Sequence, residues 1–253
     1  MVELYCLKGA YMKKLLSFIF CVSLSFSAFA LDSITDVFLG GFFNYSNIFK
    51  GSVEYEKQIN YDTNYYDSDY RAAFKAAGGS IGCDCFFNQF PLGLYFRVGF
   101  MGVSGVDRTA ADKTVNLENT EINFNTFVDV GAVYGYNIGQ YFSLNVAPAV
   151  SMLLVTSEYR TLKSLYSTRA TEDSLLGFGL TADLYAKFRY KYFVASAGCA
   201  ASFYPVTLVS SADSSINYST NIRDTMAYNL RPYLSVGVSI KERSASTFGA
   251  GGN

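Results

Sequence analysis

Histidine and tryptophan are both absent from the 253 residues, proline occurs four times, and only 16% of the chain is charged. An average soluble domain carries roughly 25% charge. Without histidine there is no His-based triad or dyad and no His-ligated metal site. A formal net charge of −1 provides no basic face to neutralise phosphates, so nucleic acid is excluded as a partner. After residue 30 no stretch reaches 18 apolar residues, so no membrane-spanning helix is expected. Past that point only Cys83, Cys85 and Cys199 remain, an odd number. Cys83 and Cys85 stand too close in an extended strand to bridge, and Cys83-Asp84-Cys85 lacks the second ligand pair of a zinc knuckle. These thiols read as small packing residues, and no cofactor or metal is implied.

What the chain does have is apolar and aromatic mass: 50% hydrophobic residues, with 22 Phe and 21 Tyr. Disorder is excluded on that ground. The N-terminus reads as an export signal. Met12-Lys13-Lys14 is a short basic region, Leu15 to Phe26 an apolar stretch, and Ala28-Phe29-Ala30 a small-x-small cleavage pattern. Twelve residues of helix span roughly 18 Å, too little for a bilayer core of about 30 Å. Met12 is the expected start. Residues 1–30 are thus an extension and cleaved Sec-type signal peptide, 31–241 the folded body, and 242–253 a polar tail.

Period-two alternation dominates the body. In the last segment Tyr228, Leu230, Pro232, Leu234, Val236, Val238 and Ile240 take one face; Asn229, Arg231, Tyr233, Ser235, Gly237, Ser239 and Lys241 take the other. A helical period cannot produce this. The same pattern runs near 94–100, 122–136, 142–154 and 176–190, and more weakly near 37–49, 73–87 and 193–204, which makes eight strands. Short turns at Asn88–Pro91, Asn137–Gln140 and Arg189–Tyr192 alternate with long polar segments at about Lys50–Arg71, Asp107–Thr120, Ser157–Ser174 and Ser210–Thr225. That is the loop order of an up-and-down membrane barrel. A soluble eight-stranded, lipocalin-like barrel is the alternative. The polar face decides against it. It is mostly Gly, Ser, Asn, Ala and Tyr, which suits a narrow interior better than a solvated exterior. Phe142, Phe188, Tyr190, Tyr134 and Tyr136 lie close to the short turns, where an interfacial girdle belongs. The expected fold is all-β, an eight-stranded antiparallel up-and-down transmembrane β-barrel.

On signal peptide, alternating strands and loop order, over about residues 35–241, the chain resembles the small outer-membrane barrels of diderm bacteria, the OmpX, OmpW and OmpA-barrel type. The resemblance implies a bacterial outer-membrane location, outer-membrane lipid as the surrounding partner, and a role as adhesin, structural anchor or narrow conduit for small or hydrophobic molecules. One departure is the end of the chain: such barrels usually close on an aromatic residue, whereas a polar, Gly-rich tail follows Ile240 here.

Two groups of residues are candidates for function. The inward faces carry Asp84, Asp129 and Asp183 against Arg97, Lys187 and Arg231. In a low-dielectric interior these must pair, and eight strands leave room for little beyond side chains. A filled lumen is expected, with Asp84 and Arg97 in diagonal reach around the Asn88–Pro91 turn. The first long loop carries Tyr55, Tyr61, Tyr65, Tyr66 and Tyr70 among carboxylates, a surface able to bind host or environmental ligands. No spacing marks a catalytic site. The sequence reads as a surface-exposed structural or binding protein rather than an enzyme, with a porin-like channel as the alternative.

Overall fold

The structure is a computed structural model describing residues 33–59, 62–87, 91–110, 113–118, 125–164, 167–213 and 218–241. The proposed signal region and tail, residues 1–30 and 242–253, lie outside the described residues. Every described element is a strand: β1 (Ser33–Ile59), β2 (Asp62–Phe87), β3 (Leu92–Ala110), β4 (Lys113–Glu118), β5 (Asn125–Ile138), β6 (Phe142–Ser164), β7 (Ser167–Tyr190), β8 (Phe193–Asp213) and β9 (Tyr218–Lys241).

The pairings among these strands are antiparallel. They run in chain order from β1 to β9, except that β5 rather than β4 follows β3 in the ring. β9 pairs back onto β1, from Ile34↔Lys241 to Ser52↔Arg223, so the sheet closes on itself. Closure matters because an open edge in lipid would leave N–H and C=O groups without partners. The ring has eight staves. β4 stands outside it, paired with β3 from Gly105↔Glu118 to Ala110↔Lys113. This is the fold of the small outer-membrane β-barrels.

The alternation explains which side faces out. On β9 the apolar set from Tyr228 to Ile240 points outward, with Leu230, Leu234, Val236, Val238 and Ile240 all exposed, while Asn229, Arg231, Tyr233, Ser235 and Ser239 are buried. Exposure is large for big side chains at mid-strand: 67% for Leu180, 69% for Leu234. A soluble barrel would bury these residues, and the lipocalin-like alternative fails on that point. Two aromatic rings bound the apolar belt. Near the short turns Tyr141 packs with Tyr190 at 5.7 Å between ring centroids, and Phe142 with Phe188 at 5.1 Å. Toward the long hairpins Phe49 packs with Phe203 and Tyr228. From Phe193 to Phe203 along β8, ten residues at about 3.3 Å and a tilt near 40° give a height of roughly 25 Å, the height of a transmembrane barrel's apolar band.

The turns at 139–141 and 191–192 are tight. Gly139 (φ 71°) and Lys191 (φ 52°) occupy the left-handed region; a glycine adopts it without strain.

The long polar segments differ from their expected form. They are not irregular loops but paired hairpin extensions. β1 and β2 stay paired out to Ile59↔Asp62, β6 and β7 to Ser164↔Ser167, β8 and β9 to Asp213↔Tyr218. β1 alone has 27 residues, well over twice the roughly 9–11 that cross a bilayer at such a tilt. Water wets both faces of a hairpin beyond the membrane, so no apolar alternation marks it in the sequence.

Candidate functional site: the charged lumen

The inward-pointing residues of the eight staves meet on the barrel axis. Asp84, Asp129, Asp183, Arg97, Lys187 and Arg231 are all buried there, none more than 4% exposed. Two further charges join them: Asp36 on β1, fully buried, and Arg189 on β7, a quarter exposed at the turn end. Among these described residues acids and bases balance at four each, which a low-dielectric interior requires.

The pairs form three tiers. At the turn end Lys187 Nζ donates to Asp36 Oδ2 (2.8 Å) and Asp84 Oδ2 (2.7 Å), Tyr185 OH donates to Asp84 Oδ2 (2.6 Å), and Arg189 Nη2 donates to Asp36. The second tier holds Arg97 Nη1 at 3.2 Å from Asp183 Oδ2, a carboxylate that also accepts from Tyr95 OH (2.8 Å) and Tyr233 OH (2.9 Å). The Arg97 guanidinium lies 3.9 Å over the Tyr233 ring, a cation–π contact. In the third tier Arg231 Nη2 meets Asp129 Oδ2 at 2.5 Å while Ser151 Oγ donates to Asp129 Oδ1. Here the guanidinium sits 3.7 Å over Phe127. Phe127 in turn meets Phe42 edge-on, and a Cβ on Gly99 would collide with the Phe127 ring. Glycine at 99 is what lets that aromatic pair fill the axis.

These bridges join distant staves. Arg231 on β9 and Asp129 on β5 are diametrically opposite in the ring of eight, and Lys187 on β7 reaches Asp84 on β2 across the intervening β8, β9 and β1. The pairs are struts across the lumen rather than rungs between neighbours. Asp84 and Arg97 stand in the expected diagonal relation, Gly82 being the register partner of Arg97 and Tyr95 that of Asp84, but the ion pairs run across the axis, Arg97 to Asp183 and Asp84 to Lys187. Beyond the third tier toward the hairpins Asn44, Ser46 and Asn229 form a buried hydrogen-bonded group, and past it lies a mainly apolar layer. Ile48, Phe74, Val103, Leu153, Val155 and Leu175 are buried together. Tyr70 belongs to this layer. It is 0% exposed, so it is not part of a surface-loop binding set. It falls on the inward parity of β2 with Ala72 and Phe74, the strand pattern running further than the sequence signalled. Tyr55 and Tyr66 are register partners in the β1–β2 hairpin and Tyr65 pairs with Glu56; Tyr61 lies outside the described residues.

Asp36 and the hydroxyls of Tyr95, Tyr185 and Tyr233 escape the sequence reading. Parity with Phe38 and Phe42 is the signal that could have found Asp36, on a strand where glycines blur the alternation. Cys83, Cys85 and Cys199 are free thiols.

No protein-family model matches the chain, and no curated protein matches it. Among solved structures, the chain is similar to the attachment invasion locus protein Ail of Yersinia pestis, crystallised with the heparin analogue sucrose octasulfate (12% identity, 83% of this chain and 100% of that one, TM-score 0.36). It is also similar to a major outer membrane protein from Thermus thermophilus (10%, 79% and 99%, TM-score 0.45) and to the outer membrane protease OmpT from Escherichia coli (10%, 83% and 97%, TM-score 0.33). The barrel assignment rests on the chain's own strand register and apolar belt.

Proposed function

We propose that this protein is an exported barrel of a bacterial outer membrane, a surface-exposed structural and binding protein without catalytic chemistry. One observation carries the reading. The lumen is crossed by three tiers of buried ion pairs and then filled by a mainly apolar layer, which argues against a path for a solute along the axis. What is left to meet a partner is the set of paired hairpins that rise past the upper aromatic ring. Extended antiparallel hairpins present side chains on a stiff frame, which lowers the ordering cost of binding. Lipid covers the belt, and host or environmental ligands would be met by the hairpins. A narrow conduit would require the struts to part.

Topology is the testable part. Epitope tags inserted within 60–61, 165–166 or 214–217 are expected to be labelled on intact cells, and a tag at 139–140 only after lysis. Labelling of the 139–140 tag on intact cells, with the others hidden, would invert the barrel and remove the binding reading.

A further inference from the structure

On the outer face, in the turn-side half of the apolar belt, the barrel carries an open trench of about 580 Å³. Strand register shows how it forms. Phe142, Phe188, Ala195, Val236 and Leu39 fall in one row across β6, β7, β8, β9 and β1, and the next row holds Ala186, Ala197, Leu234 and Gly41. The large side chains of these rows stand out as walls, with Leu39, Leu234 and Val236 exposed, while Ala186 and Ala197 make an exposed floor. Beneath the floor Lys187, Ser196 and Ser235 are buried, and Ser196 Oγ bonds Ser235 Oγ at 2.6 Å, so the trench itself is apolar. Phe188 and Val236 flank Ala195 at two strand spacings, roughly 10 Å between backbones. An α-helix, about 10–12 Å across with its side chains, is too wide to enter. A single hydrocarbon chain is not. At the turn-side end stands Lys191, exposed, in the turn that joins the strand of Phe188 to that of Ala195. Its Nζ lies 5.5 Å from the centroid of the outward-facing Tyr190 ring, which holds the cation on the lipid side of the wall. Among the described residues no carboxylate pairs with it. The β7–β8 turn also places this lysine in the left-handed region where the β5–β6 turn uses Gly139, and so accepts strain that glycine would avoid.

We propose that the trench and Lys191 together bind one phospholipid of the turn-side leaflet, with an acyl chain lying on Ala195 and Ala197 and the phosphate meeting the Lys191 ammonium. Lipid chains that slide past a smooth belt touch it on one side. A chain in the trench meets floor and both walls, and a trench left unfilled would forfeit those dispersion contacts. The headgroup end supplies the other half of the recognition. Lys191 has three N–H donors and no anionic partner of its own, so a phosphate gains a charge-assisted hydrogen bond there. The exposed hydroxyls of Tyr190 and Tyr192 flank it along the chain and can donate to the phosphate or ester oxygens. A glyceride without phosphate would fill the trench and leave the cation unmatched.

The site is independent of the hairpin-binding role. Its test is native mass spectrometry of the refolded protein released from micelles that contain palmitoyl-oleoyl phosphatidylglycerol at rising concentration. One lipid retained per barrel, saturating at that ratio, is the expected result. Ala197→Phe fills the trench and should cut retention roughly tenfold, through lost packing along the floor. Lys191→Gln should cut it about threefold, the size of one exposed ion pair. Ala132→Phe, an equal increase in bulk on the outward face of β5 and away from the trench, should retain the lipid as the unmodified protein does. The shift in gel mobility between unboiled and boiled samples reports whether each variant has folded. A ladder of adducts that never saturates would overturn the proposal, leaving only the lipid that coats any belt. Undiminished retention in folded Ala197→Phe, or an equal loss in Ala132→Phe, would overturn it too. Equal retention of dioleoylglycerol, which lacks the phosphate, would overturn it in favour of a hydrocarbon cleft indifferent to the headgroup.

Discussion

Replacing Lys187 with methionine is expected to destabilise the barrel by about 3–5 kcal/mol, the cost of removing one partner from a buried ionic cluster. Methionine keeps most of the side chain's length and volume, so little of the loss comes from packing. What is lost is the cation shared by Asp36 and Asp84, which are direct register partners on β1 and β2. Asp36 keeps Arg189; Asp84 keeps the Tyr185 hydroxyl. Two buried carboxylates would then face each other across adjacent strands with one cation between them. Adding Asp84→Asn should recover a large part of the loss, because it removes the stranded charge. Lys191→Met, at an exposed turn, should stay within about 0.5 kcal/mol of the unmodified protein. Denaturant unfolding of the refolded protein in lipid reads all three. A loss below about 1 kcal/mol for Lys187→Met would mean that water reaches this tier and solvates the carboxylates.

The belt makes an equally large prediction of a different kind. Leu234 lies at the middle of the outward set of β9, halfway between Tyr228 and Ile240, and so near the bilayer midplane. Leu234→Arg is expected to cost about 2–4 kcal/mol in lipid, whereas arginine near the interface costs about 0–1 kcal/mol. Tyr192→Arg, at the turn-end ring where the side chain is 75% exposed, serves as the shallow comparison. In a water-soluble barrel both changes would lie on a wet surface and cost almost nothing. Equal, negligible effects at the two depths would thus remove the membrane assignment.

Much of the fold was legible because a membrane barrel writes two environments into alternate residues. β9 shows it most plainly, and the small, polar character of the opposite face told which side is out. Alternation reports the face a residue occupies but says nothing of its height along the axis or of what lies across the lumen. Strand tilt and stagger set those. That is why Arg97 and Asp183 both read as inward while the nearer Asp84 looked like the partner of Arg97. Tyr70 was lost for a related reason: next to Arg71 and Asp69, in a polar stretch, it carried no signal of the apolar layer that Phe74 and Leu153 complete. The hairpin extensions were illegible in principle, since pairing between two solvated faces leaves no hydrophobic period to read. The upper aromatic ring of Phe49, Phe203 and Tyr228 was present in the sequence, but only strand register shows that these residues stand at one height.

Single-channel recording on the refolded protein in a planar bilayer tests the closed lumen most directly. With Arg97, Lys187 and Arg231 strutted across the axis and an apolar layer beyond them, the account predicts no ohmic steps above the bare membrane. A steady conductance whose ion selectivity shifts on substitution of Arg97 or Arg231, with stability little changed, would contradict it and make the protein a pore.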